Sequence, residues 1–248
     1  MRYLSLILIL FIFACEKYDS SEKESLVKPT MSYEEALKGE AFTTMASKIG
    51  AKLTEADRAI MKESNAKLAS EIVEPGLSIG ERAPDFSLQN AFGKKTSLSS
   101  ALTNGPVILV FYRGAWCPFC NVHLRVLQEN MAEFQKYNAQ LLTITPQQPD
   151  KSAEQLKNGD YDFEVLSDLD YQVMKDYNLY FEVPNEIVEI YQRVGIDLDE
   201  YNGQDRAGLP VPGTFIIDQQ GIIRAVHAET DYSKRMEPAD ILVELAKL

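Results

Sequence analysis

The sequence of 248 residues predicts an α/β fold: a central mixed β-sheet flanked by helices on both faces, preceded by a helical extension. Three observations predict it. Short apolar runs alternate with stretches of helical period from Asp85 onward. The last two apolar runs are separated by a glycine-containing turn, and the residues between Ser32 and Ile72 carry helical period up to the break at Pro75-Gly76.

The elements follow in order. Residues 16–29 are polar, rich in Ser, Glu and Lys, and lack apolar period, as a flexible tether does. Two helices are expected between Ser32 and Ile72. The second is opened by the capping pattern Thr54-Glu-Ala-Asp57 and carries Ile60, Met61, Leu68 and Ile72. Their charges suit a solvated face, so this prefix is expected to pack on the main domain. Strand segments at 85–88 and near Thr96 flank the turn Ala91-Phe-Gly-Lys94, and the strand 107–112 leads into a helix at Trp116-Cys-Pro-Phe-Cys120. Strands at 140–145 and 163–166 alternate with helices at 151–157 and 171–177. After an irregular or partly helical stretch, 213–218 and 221–227 form a hairpin, and Glu237-Pro-Ala-Asp opens a last helix reaching Leu248. The organisation is thus a leader at 1–15, a tether and helical extension at 16–75, and one α/β domain at 76–248.

Composition is that of an ordinary globular protein, 45% hydrophobic and 25% charged. The formal net charge of −12 supplies no basic surplus to offset phosphate, which argues against a nucleic-acid partner. The first residues join one early cation, Arg2, to an apolar run from Leu6 to Ala14, too short to span a bilayer and closed by Cys15. That arrangement resembles a bacterial lipoprotein signal, which implies lipidation of Cys15, export and a membrane anchor on the periplasmic side of the envelope. Phe13 departs from the small residue usual two places before that cysteine. Of three cysteines, Cys15 would be consumed by the lipid, which leaves Cys117 and Cys120 as a pair.

Two thiols at a strand-to-helix junction point to redox chemistry. A helix N-terminus presents unpaired N–H groups and a partial positive charge, which stabilise a thiolate. Pro118 suits the first helical position, so Cys117 is the expected N-cap and Cys120 the N3 residue. Cys120, Leu124, Leu127, Met131 and Phe134 continue as one apolar helical face, making Cys117 the more exposed thiol and Cys120 the recessed one. Zinc needs more ligands than the sequence gathers here, so no metal or other cofactor is expected. His123, three residues beyond Cys120, is expected at the surface.

Three further matches bring out a resemblance: Ala83-Pro84-Asp85-Phe86, Phe111-Tyr112 ahead of the cysteines, and Thr214-Phe215-Ile216-Ile217-Asp218 followed by Gly221. With them, residues 76–248 resemble the thioredoxin superfamily and, more closely, its AhpC/TSA branch of peroxiredoxins. The resemblance implies a thioredoxin-like fold, a hydroperoxide substrate and a thioredoxin-like reductant. The peroxiredoxin loop Pro-x-x-x-Thr-x-x-Cys places Arg113 at its Pro, Cys117 at its Thr and Cys120 at the peroxidatic cysteine. The thioredoxin and glutaredoxin register instead makes Cys117 the attacking sulfur and Cys120 the resolving one. Many peroxiredoxins carry an arginine three residues before Phe215, where Pro212 stands here, as in the cis-proline of thioredoxins.

Cys120 is the expected peroxidatic residue and Cys117 its resolving partner. Arg113 is expected to hold the thiolate and orient the peroxide. Trp116, Pro212 and Thr214 are expected to shape the site, Pro212 through a cis bond facing the sulfurs. An exported thiol–disulfide oxidoreductase is the rival activity. A binding protein with a structural disulfide, using the Tyr-, Asp- and Glu-rich stretch 181–208 as its loop, is the rival from outside catalysis. Oligomeric state is not legible in the sequence.

Overall fold

In the computed structural model, which describes residues 28–248, three helices precede the sheet: α1 (Tyr33–Leu37), α2 (Glu40–Gly50) and α3 (Glu55–Glu71). The sequence pattern predicts two. The additional break falls at Lys38-Gly39, where Gly39 takes extended backbone and becomes the N-cap of α2. α3 starts as expected: the Thr54 hydroxyl accepts the Asp57 N–H, and the Asp57 carboxylate accepts the Thr54 N–H, a reciprocal capping box. Gly76 takes φ +93°, a conformation that L side chains rarely adopt, and turns the chain against Phe215, Val226 and Ala228.

The main domain begins with β1 (Ser87–Asn90), β2 (Lys95–Ser97), α4 (Leu98–Leu102) and β3 (Val107–Phe111). Next come α5 (Pro118–Glu129), α6 (Met131–Gln135), β4 (Gln140–Thr145), α7 (Pro149–Gly159), β5 (Glu164–Ser167) and α8 (Gln172–Asp176). The stretch expected to be irregular holds β6 (Tyr180–Glu182), α9 (Asn185–Val194), α10 (Leu198–Asn202) and β7 (Gly208–Pro210). β8 (Gly213–Ile217), β9 (Ile223–Ala228) and α11 (Pro238–Leu245) complete the chain.

Seven strands form one mixed sheet in the order β2-β1-β5-β4-β3-β8-β9, and β6 and β7 pair as a separate antiparallel ribbon. β3 runs parallel to β4 and antiparallel to β8, with Val110 opposite Thr214. All five residues of β3 are buried, because alternate side chains serve two cores. Ile108, Val110 and Tyr112 pack with Cys120, Leu124 and Leu127 of α5, while Val107, Leu109 and Phe111 pack with Tyr177 and Phe215 on the other face. The β8–β9 turn is as the sequence suggests: Gly221 sits at φ +79°, and the Asp218 carboxylate accepts the N–H groups of Gln220 and Ile222.

The apolar face 120–134 does not lie on one helix. Asn130 ends α5 because its side chain competes for backbone partners: Nδ2 donates to the carbonyls of Val126 (2.7 Å) and Met31 (2.9 Å), and Oδ1 accepts the Thr30 N–H (2.7 Å). Helical period then resumes in α6.

The aromatic cluster Phe111, Tyr177 and Phe215 lies on the sheet face away from the cysteines, with ring centroids 5.0 to 5.9 Å apart. Phe215→Ala is therefore expected to lower stability by about 3–5 kcal/mol, read as an earlier urea midpoint, and to leave the pH dependence of cysteine alkylation unchanged.

Candidate active site

β3 ends in the loop 112–117, and that loop delivers every residue of the motif. Cys117 is the N-cap of α5 with extended backbone, Pro118 occupies the first helical position and Cys120 the N3 position, as the spacing predicts. Gly114, at φ +148°, admits the close approach of Trp116: a Cβ there would stand 2.5 Å from the indole nitrogen. A buried polar network fixes the loop from behind. Gln147 Oε1 accepts the Ala115 N–H (2.9 Å), and Asn121 Nδ2 donates to the Ala115 carbonyl (2.6 Å). The Tyr112 hydroxyl donates to Gln155 (2.7 Å), whose Nε2 in turn donates to Asn121 (2.8 Å).

Both thiols are free and both are buried, Cys117 at 1% exposure and Cys120 at 0%. The expected contrast between an exposed and a recessed sulfur does not hold, because α2, α3 and Tyr232 roof the N-terminus of α5. Under that roof lies a largely apolar cavity of about 220 Å³, lined by Ile49 and Met61 of the extension, Arg113, Trp116, Cys117 and Tyr232. It reaches Cys117 and not Cys120.

Arg113 is no surface residue. It is 4% exposed, its guanidinium lies 4.6 Å from the ring of Tyr232 and 4.8 Å from that of Trp116, and its Nη2 donates to the Tyr191 hydroxyl. Aromatic faces thus replace part of its hydration. A second guanidinium comes from far along the chain. Arg235, in the loop before α11, donates through Nη2 to Cys120 Sγ at 3.3 Å, while its Nη1 donates to the carbonyls of Tyr232 and Lys234. Burial alone would raise the Cys120 thiol. The hydrogen bond from Cys117 and the charges of Arg235 and Arg113 outweigh it and hold Cys120 down to about 5. Cys117 goes the other way, pushed up by burial and by the thiolate beside it. The pair thus holds one negative charge, seated on Cys120, and Cys117 keeps the proton.

Neither Pro212 nor Thr214 lines the cavity that reaches Cys117. No peptide bond among the described residues is cis, so the expected cis bond at Pro212 is corrected to trans. The chain arrives extended from β7, with the Val211 N–H donating to the Leu179 carbonyl at 2.7 Å. Pro212 lines a second cavity, about 150 Å³, behind Arg113 and Tyr191. Thr214 is buried on β8 between Val110 and His227. His123 is not at the surface either but fully buried, since Tyr33 of α1 covers it with ring centroids 5.6 Å apart; burial and the charge of Arg235 keep its imidazole neutral. Among the described residues no cluster of His, Cys, Asp or Glu could hold a metal ion. Cys15 and the leader lie outside the described residues.

Arg235, Tyr232, Tyr191 and Gln147 are the site residues that sequence reasoning missed. None has a local signal: they come from loops and a helix 27 to 118 residues away from Cys117 or Cys120 and meet the cysteines only in the fold. A buried thiolate needs a cation, and the sequence offered Arg113 as the near one.

The Cys-x-x-Cys segment follows β3 and opens α5 beside a seven-stranded mixed sheet, a thioredoxin-like architecture. The sequence profile of the AhpC/TSA family matches residues 79–226, and the chain belongs to that family. It is 31% identical over 106 residues to Peroxiredoxin Bcp of Escherichia coli, spanning 43% of this chain and 67% of that protein. It is 27% identical over 164 residues to the Thioredoxin-like protein YneN of Bacillus subtilis, 66% of this chain and 79% of that one. The crystal structure of Peroxidoxin BcpB from Mycobacterium tuberculosis superposes with a TM-score of 0.54 at 22% identity, over 71% of this chain and all but 1% of that one, a likeness of fold. Arg235 lies outside the family match, as does the whole helical extension.

The lowered Cys120 value has a pH consequence. In the unfolded chain a thiol titrates near ~8.5. The folded value lies below it, so ionised Cys120 contributes stability that is full above ~8.5 and is lost as pH falls toward 5. Cys117, shifted up, opposes folding above that same pH. Alkylation of Cys120 by a neutral haloacetamide, followed by peptide mass spectrometry, is expected to be flat from about pH 6 to 8 and to decline through about 5, whereas in urea it should climb toward ~8.5.

Proposed function

We propose that the protein is a thiol peroxidase that reduces hydroperoxides through the Cys117/Cys120 pair and is recycled by a thioredoxin-like dithiol. The observation that carries this is the hydrogen bond from Arg235 Nη2 to the buried Cys120 Sγ. It seats the negative charge on the sulfur that the peroxiredoxin register makes peroxidatic. The Cys120 thiolate attacks the distal oxygen of ROOH, the O–O bond breaks, and the alkoxide RO⁻ leaves and takes a proton from solvent. Cys120 becomes a sulfenic acid. Cys117 then attacks it, water departs, and a Cys117–Cys120 disulfide remains for the external dithiol to reduce. Two guanidiniums against one thiolate leave a local excess of positive charge for the developing alkoxide. The named relatives support the reading, one a peroxiredoxin and one thioredoxin-like.

One observation favours a second activity, exchange with disulfides of exported proteins. The apolar cavity opens on Cys117, the sulfur that leads in the thioredoxin register. The reading also places the protein outside the cytosol, held to a membrane by lipid on Cys15, on the strength of the leader sequence alone.

Single-turnover peroxide consumption separates the two activities. Cys120→Ser is expected to abolish it, by at least about a hundredfold. Cys117→Ser should keep the first turnover and accumulate a sulfenic acid on Cys120 that dimedone traps. Loss in Cys117→Ser with retention in Cys120→Ser would reverse the roles. Retention in both would end the assignment of the chemistry to this pair, and no consumption by the wild-type protein would end the peroxidase reading. Mass spectrometry of the protein recovered from bacterial membranes should find Cys15 as an acylated N-terminal residue, and Cys15→Ser should release the protein from the membrane fraction.

A further inference from the structure

Among the described residues, the two parts that the family match leaves out, 28–78 and 227–248, meet each other beside the sulfurs. Glu237 receives the backbone N–H groups of Tyr33 and Glu34, each at 2.8 Å, at the start of α1. The Tyr33 hydroxyl donates to the Ser233 carbonyl at 2.9 Å. Arg235 lies between these two anchor points and reaches Cys120 from there. On the far side of the strap, Thr30 and Met31 are tied to Asn130 at the end of the cysteine helix. A second chain of contacts starts from α2: Phe42 packs on Phe119 (5.0 Å), Phe119 on Tyr232 (5.6 Å), and Tyr232 covers Arg113 at 4.6 Å.

We propose that the strap 30–34 is part of the catalytic apparatus, with Tyr33 and Glu237 as positioning residues that hold Arg235 on Cys120. This rests on the reading of Cys120 as the reactive thiolate. Arg235 has no sheet to fix it. Its loop is anchored by its own hydrogen bonds, by the packing of Tyr232 and Met236, and by the strap, whose grip on both the loop and α5 sets the distance between guanidinium and sulfur. Each carboxylate oxygen of Glu237 accepts one N–H of α1, which points the side chain at the strap.

Several groups face Cys120: Cys117 on its own helix, Arg113 and Tyr112 from the end of β3, Tyr33 from the strap, and Arg235 from its loop. Asp231 and Glu237 share the loop with Arg235. Releasing the strap would therefore weaken the contact of Arg235 with Cys120, and that change favours the protonated thiol.

The test is the pH midpoint of Cys120 alkylation in the full-length protein, read on the Cys120 peptide, for Tyr33→Phe, Glu237→Gln and Arg235→Met. Tyr33→Phe keeps the ring on His123 and removes only the hydroxyl. Both strap variants are expected to raise the midpoint by about half to one unit, roughly three- to tenfold less thiolate at low pH, and Arg235→Met by more. Glu237→Asp, which keeps the charge, should recover part of the shift. If the strap variants titrate like wild type while Arg235→Met is shifted, the strap is merely structural and the inference fails. If Arg235→Met is itself unshifted, the thiolate assignment falls, and the inference with it.

Discussion

A charged sulfur with no exposure to solvent is the constraint around which this site is arranged. Taking an ion into the protein interior costs several kcal/mol unless partners replace the lost water. Cys120 has three such partners: a hydrogen bond from Cys117, the Arg235 guanidinium at 3.3 Å, and the charge of Arg113. Those cations are buried in turn and need replacements of their own. Arg113 finds them in the rings of Trp116, Tyr191 and Tyr232, and Arg235 in two backbone carbonyls. The aromatic residues around the cysteines are thus a substitute solvent for the arginines. Gly114 is the residue that lets the indole come close enough.

The sheet supplies the rigid reference. β3 is buried along its whole length between two cores, so the loop leaving it starts from a fixed point. The Gln147–Gln155–Tyr112–Asn121 network then fixes the loop's direction, holding Ala115 through both its N–H and its carbonyl. On this side of the site the geometry is determined by several buried hydrogen bonds at once. On the other side the loop 229–237 follows the last strand and is held to the rest of the molecule by side chains and by the helical extension rather than by a sheet.

What was legible in the sequence follows the same division. The capping box at Thr54, the N-cap at Cys117 and the turn at Gly221 are decided by neighbours a few residues away, and the sequence pattern shows them. The run 120–134 shows how a local pattern misleads. Its spacing is continuous, yet Asn130 divides it, because the strap offers Asn130 a partner 99 residues distant. His123 and Cys117 were misjudged for the same reason. His123 is covered by α1 and Cys117 by the α2–α3 layer, elements that local spacing around the cysteines does not reveal. At Pro212 the expectation came from thioredoxin, where the proline faces the sulfurs; here Val211 is tied to Leu179 and the chain enters β8 extended and trans.

Pro212 and Arg235 are two sides of one exchange. An arginine three residues before Phe215 would stand at the entry to β8 and be fixed by the sheet. With proline at that position, the cations come from elsewhere, Arg113 from the loop after β3 and Arg235 from the loop before α11, because electrostatics constrains only where a guanidinium ends up, not its place in the chain. The loop before α11 can reach Cys120, but a loop explores many conformations and loses entropy when confined to one. Contacts from a further element reduce that loss by narrowing the loop before any substrate arrives. In this protein the element is the helical extension, which binds the loop at Ser233 and Glu237 and the cysteine helix at Asn130. The extension packed over the site therefore steadies a cation that the sheet does not fix.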